Sequence, residues 1–102
     1  MAAREGMGAC MSAYQFPECN AVPNAENRHQ IRHQALKIAE EAGEVLAAIE
    51  EGESIDRIIE ETWDCKHACE TLHRAFDAGD VIAMRVFVEF KNDARGYYGE
   101  RK

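Results

Sequence analysis

Proline is nearly missing from this chain: its two copies, Pro17 and Pro23, both precede residue 26, and none follows. A long stretch without proline leaves every backbone amide able to join a helix. No apolar run approaches the roughly 20 residues that cross a bilayer, so no membrane partner is expected. Met1 to Cys10 has neither a basic leader nor a continuous apolar stretch, which does not fit a secretory signal, and cytoplasmic residence is the expectation. Basic residues are scarce, 12 Lys and Arg against 19 Asp and Glu, for a formal charge of −7. A surface that coats a nucleic acid polymer needs the opposite sign. Cysteine is limited to Cys10, Cys19, Cys65 and Cys69, spaced like neither a secreted disulfide framework nor a paired C-x-x-C zinc signature, so reduced thiols are expected.

What is present suits one small globular domain. Hydrophobic residues make up 46% and charged residues 30% of the chain, which excludes a wholly disordered segment. A domain of this size buries a modest share of its surface, so association with further copies is expected. Residues 1–25 carry both prolines and no sustained periodicity. They read as a loosely ordered arm with Tyr14 and Phe16 as anchors. From Glu26 to Glu51 apolar side chains fall at Ile31, Ala35, Ile38, Ala42, Val45 and Ile49, three and four apart, the signature of a helix packed on a helix. Gly52 stops it and Ser54 caps the next, with Asp56 in its first turn. A second stripe, Ile55, Ile58, Thr62, Cys65, Cys69, Leu72 and Phe76, predicts a helix over 55–76. Ala78-Gly79-Asp80 reads as the next break, and a third helix follows over 81–94, ended by Gly96. The fold expected is all-α: an antiparallel bundle of about three helices over residues 26–98, its four-helix-type core completed by oligomerisation, with 99–102 as a tail.

Charge is unevenly placed. Between Glu40 and Asp64 stand ten acidic residues and one basic residue, Arg57, whereas Lys91 to Lys102 holds four basic residues and two acidic ones. Glu41 and Glu44 are three apart on the first helix, and Glu61 and Asp64 three apart on the second, so each pair shares a surface. At about 100° per residue both pairs border their apolar stripes on the same side. Packing the stripes together would draw four carboxylates to one edge, where they repel one another. Lys37 and Lys66 are the nearest cations in sequence. A hard divalent ion with oxygen ligands is the economical remedy, and Mg²⁺ commonly joins a few carboxylates to phosphate oxygens and water. Gly43, which costs a helix interior roughly 1 kcal/mol relative to Ala, would leave room beside the acids.

Glu40-Glu41-x-x-Glu44 followed by Glu61-x-x-Asp64 resembles the EExxE…ExxD signature of the all-α, MazG-like nucleoside triphosphate pyrophosphohydrolases. The likeness extends over residues 38–45 and 59–64, and Lys91-Asn92-Asp93-Ala94-Arg95-Gly96-Tyr97-Tyr98 is similar to the K-N-x-x-R-G-Y-Y end of phage and prophage-type members. The resemblance implies a homodimer or homotetramer that uses Mg²⁺, with Mn²⁺ as a substitute, to cut a (d)NTP into (d)NMP and pyrophosphate. Glu41, Glu44, Glu61 and Asp64 would hold the metal, and Glu40 or Glu41 would act as base. Lys37, Lys91 and Arg95 would contact phosphate, and Trp63 would stack on a base. The chain departs from the family after Asp64, where Lys66-His67-Ala68-Cys69 replaces the aromatic or Asn near the base pocket of many members, so no nucleobase preference carries over.

Two other readings come from different chemistry. Cys65, Cys69 and His73, with His67 nearby, are spaced for a zinc or thiol site on one helix face, although small apolar residues belong at those cysteine positions. His29 and His33 form a similar pair near a helix start. A non-catalytic helical interaction protein would use the acids only for solvation.

Overall fold

A computed structural model describes residues 14–99; the first part of the expected arm, with Cys10, and the end of the expected tail lie outside the described residues. Three helices are present among them, α1 (Arg28–Glu50), α2 (Ile55–His73) and α3 (Ala78–Ala94), with no strand. None is long and apolar enough to cross a membrane.

Each helix start has a side-chain cap that satisfies an otherwise orphaned amide. Asn27 accepts from the Gln30 amide at 3.1 Å, Ser54 from the Arg57 amide at 3.1 Å, and Asp77 from the Asp80 amide at 3.1 Å. Gly52, at φ 71°, ends α1. Its amide donates to the Ile49 carbonyl at 3.2 Å and the Glu53 amide to the Ala48 carbonyl at 3.0 Å, a Schellman closure that needs the left-handed backbone glycine supplies. Gly96, at φ 76°, closes α3 in the same way through Tyr97 and Asn92. The second break lies earlier than the sequence predicts. α2 ends at His73 and its cap at Arg74, and Ala78-Gly79-Asp80 form the first turn of α3. The Asp77 cap outweighs the helix-breaking tendency of Gly79.

α1 and α2 form an antiparallel hairpin: Gln34, near the start of α1, donates through Nε2 to the Ala68 carbonyl, near the end of α2, at 3.0 Å. The line of closest approach differs from the predicted apolar stripes. On the two helices the buried apolar side chains are Ala48 and Ala68, and the buried charged ones are Glu41 and Glu61. Small alanines let the two backbones approach, and the bulkier stripe residues Ile31, Ile38, Val45, Ile58 and Leu72 stay half-buried beside them. Ala42, Val45, Thr62, Cys65 and Cys69 line an open groove of about 560 Å³ on one face of the hairpin. Two helices bury one line of contact between them; a wider apolar face waits for a further layer.

The third helix does not supply that layer. α3 has no buried residue and makes no extensive contact with α1 or α2. The radius of gyration, 16.4 Å, exceeds the roughly 13 Å of a compact chain of this length. The all-α class and the three helices are as expected, and the extensive contact is the one between α1 and α2.

The arm does find an anchor. Tyr14 meets the Trp63 ring edge-on with centroids 5.4 Å apart, and Phe16 meets His67 at 4.7 Å. Arg74 grips the same segment, donating to the Phe16 carbonyl at 2.8 Å and to the Pro17 carbonyl, while its Nε pairs with Glu70 at 3.0 Å.

Candidate metal centre

The two buried acids lie at the centre of the hairpin because they occupy the contact line itself. Glu41 projects from α1 between Gln34 and Ala48, each a whole number of near-seven-residue steps away, and Glu61 stands seven residues before Ala68 on α2. Asp64, three residues after Glu61, lies at the exposed rim. One carboxylate oxygen from each of Glu41, Glu61 and Asp64 falls within 4.8 Å of the other two. The sequence expectation placed these acids beside the helix contact; two of them lie within it.

Charge balance is partial. Lys37 Nζ pairs with Glu41 at 3.0 Å, and that bond, with the nearby Glu40 and Glu44 charges, raises the lysine pKa above its usual value. Arg57 reaches Glu61 at 2.7 Å and Glu60 at 3.1 Å. Glu61 keeps a second oxygen, Oε1, that is buried and has no hydrogen-bond partner. Burial pushes the Glu61 carboxyl above the usual carboxylate range, Arg57 opposes this, and Glu44, Asp64 and Glu60 add to the rise. A buried carboxylate oxygen without a donor is costly. With two further carboxylates at hand, the oxygen donor set fits a hard divalent cation.

The remaining expected site residues fall in three groups. Glu44 stands on the same edge, close enough to act on Glu61, but its carboxylate is outside the cluster of three. Glu40 is exposed on the solvent side of α1. Lys91 lies over the Phe87 ring, 5.9 Å from its centroid, and Arg95 caps α3; both belong to α3, and neither has an ion pair with the acids. Trp63 is engaged by Tyr14, Phe16 and His67, with Lys66 Nζ 4.4 Å above its ring, so the arm occupies the surface that base stacking would use. Arg57 was visible in the sequence as the lone cation of the acidic stretch, four residues before Glu61. That i,i+4 spacing marks it as the partner of a buried acid.

The thiol and imidazole groups do not assemble. No set of three metal-binding side chains among the described residues includes Cys65, Cys69, His67, His73, His29 or His33. Cys65 and Cys69 are half-buried free thiols, and burial, then the neighbouring Cys65, raises the Cys69 pKa. Cys19 differs. It is exposed, and hydrogen bonds from the Ala21 backbone and the Thr71 hydroxyl hold its thiol below the usual value. Because the thiolate is the nucleophile, iodoacetamide at neutral pH is expected to alkylate Cys19 well before Cys69. Peptide mass mapping over time checks the order; equal rates would contradict it.

No known protein family, curated protein or solved structure matches this chain.

Proposed function

We propose that the chain is a Mg²⁺-dependent nucleoside triphosphate pyrophosphohydrolase, converting a (d)NTP and water into a (d)NMP and pyrophosphate. The observation that carries this reading is the unpartnered, buried Oε1 of Glu61 beside Glu41 and Asp64; the EExxE…ExxD resemblance supplies the reaction. Glu41, Glu61 and Asp64 would hold the metal, and Glu44 is placed to join from the rim. Bound Mg²⁺, or Mn²⁺ in its stead, would neutralise phosphate charge and let an anionic protein receive an anionic substrate.

The chain's own residues do the rest. Lys37 and Arg57 hold the buried carboxylates in their rotamers. Exposed Glu40, or Glu41 itself, accepts the proton of the attacking water as oxygen bonds to the α-phosphorus. The bond to the bridging oxygen breaks and pyrophosphate leaves with that oxygen. Lys91 and Arg95 contact phosphate only if another chain or a rearrangement brings α3 to the acids. The reading includes a cytoplasmic homodimer or homotetramer with its bundle core completed between copies.

The test is pyrophosphate release from a panel of canonical and modified (d)NTPs, with Mg²⁺ or with EDTA. Release that yields the monophosphate and stops with EDTA supports the reading. No release from folded protein across the panel favours the helical interaction protein, a reading supported by the apolar surface of α3.

A further inference from the structure

Two of the thiols meet, although no third donor joins them. Cys65 and Cys69 stand four residues apart on α2, a spacing that sets Cβ atoms about 5–6 Å apart on one helix face, and their side chains hydrogen-bond to each other. Both are free and half-buried. They line the groove of about 560 Å³, together with Ala42 and Val45 of α1 and with Lys66. Apolar periodicity assigns both cysteine positions to filler between the helices. Ala48 and Ala68 fill that contact instead, and the two sulfurs are left beside it on a wall that opens to the groove.

We propose that Cys65 and Cys69 form a dithiolate site for a soft monovalent cation, Cu(I). Thiolate sulfur selects soft ions, whereas the acidic centre suits an oxygen-seeking one. The number of donors narrows the choice. Zinc closes its shell with four ligands, and among the described residues no third His, Cys, Asp or Glu side chain comes within reach of both sulfurs. Cu(I), with a filled d shell, is satisfied by two thiolates on opposite sides of the ion. Binding exchanges protons for metal: two neutral thiols and one Cu⁺ give a bis-thiolate complex with a single negative charge and release two H⁺. No electron moves. Lys66, on the same groove, offsets the charge left behind, and Ala42 and Val45 offer no oxygen to a harder competitor. The site is distinct from the acids: Cys65 follows Asp64 in sequence but points about 100° around the helix from it. The inference is independent of the hydrolase reading, and catalysis plays no part in its test.

The experiment is an anaerobic titration of the full, reduced chain with Cu(I) held by bicinchoninate, a coloured chelator that reports each ion the protein withdraws. Because Cys10 and Cys19 are also thiols, a chain carrying both Cys10→Ser and Cys19→Ser is titrated beside the native one. Both are expected to withdraw one Cu(I) per chain, with Cys65 and Cys69 protected from iodoacetamide once loaded. Cys65→Ser and Cys69→Ser should each weaken binding by more than about 100-fold, the upper end of what a lost outer partner costs a metal site. Excess Zn²⁺ should leave the bound ion in place. Far-UV circular dichroism reports whether each variant keeps its helices, and alanine replaces serine at a position where serine unfolds the chain. Failure of the Cys10→Ser, Cys19→Ser chain to withdraw Cu(I) overturns the inference, as does native-like binding without Cys65 or Cys69. Half an ion per chain also overturns it, being the mark of a site shared between copies, and so does ready displacement by Zn²⁺, which requires further donors.

Discussion

Glu61→Gln is expected to abolish the response of this protein to Mg²⁺ while leaving it folded. The substitution keeps the shape of the side chain and removes one of three carboxylates that lie within 4.8 Å of each other. Two opposing effects act on the metal-free state. Arg57 loses the charge of its 2.7 Å partner, while Glu41, Glu44 and Asp64 lose a repelling neighbour. Their near cancellation should leave the melting temperature without metal close to native. With metal the two proteins separate. At ten times its dissociation constant, a ligand bound only to the folded state adds about 1.4 kcal/mol, and the variant should gain none of it. Mg²⁺-dependent pyrophosphate release should fall by at least about 100-fold, beyond the 10–100-fold that loss of a supporting outer partner costs. A thermal melt with and without Mg²⁺, alongside the release assay, checks both. An equal Mg²⁺ shift in the two proteins would remove Glu61 from the centre.

Ala68→Leu is expected to be the most damaging conservative change in the hairpin. Ala68 is 7% exposed at the point where Gln34 crosses from α1 to its carbonyl. Three added carbons have no space between the helices, and overpacking of this kind costs typically 1–3 kcal/mol. In a domain of this size each kilocalorie lowers the melting temperature by roughly 4–8 °C. The damage is also specific. Prising α2 from α1 moves Glu61 and Asp64 away from Glu41, so the Mg²⁺ increment should shrink together with the stability. Ala39→Leu, on the exposed side of α1, should stay within about 0.5 kcal/mol of native. Thermal melts of both variants decide it; equal behaviour would mean that the alanine contact does not set the helix spacing.

The contrast between these positions shows what the sequence made legible. Helix number, the Gly52 and Gly96 stops and the Ser54 cap follow from local rules, because each depends on residues within one or two turns. The pairing of Glu41 with Glu61 and Asp64 was also within reach, since matching i,i+3 acids on consecutive helices must meet once the hairpin closes. The rotation of that hairpin was not. Apolar periodicity names a face to be buried but does not distinguish burial against the neighbouring helix from burial against another layer. Here alanines and acids took the inner line, Val45 and Cys65 stay half-buried beside it, and Ile49 is exposed. The start of α3 was misplaced because Gly79 reads as a breaker when the reciprocal action of Asp77 on the Asp80 amide is left out. The arm's docking depends on Arg74, more than fifty residues away along the chain, and no local pattern encodes it.

That distance has a consequence for how the molecule opens. The hairpin is built from neighbours joined by a short turn, whereas residues 14–19 are fastened by one guanidinium, a few ring edges and the Thr71 contact to Cys19. No backbone ladder links them to α2. Segments with so few shared bonds detach on their own, at a free-energy cost below that of global unfolding. The arm and the hairpin are thus two cooperative units of unequal depth: the first can come and go on the surface of the second, uncovering Trp63 and His67 without disturbing the acids behind them.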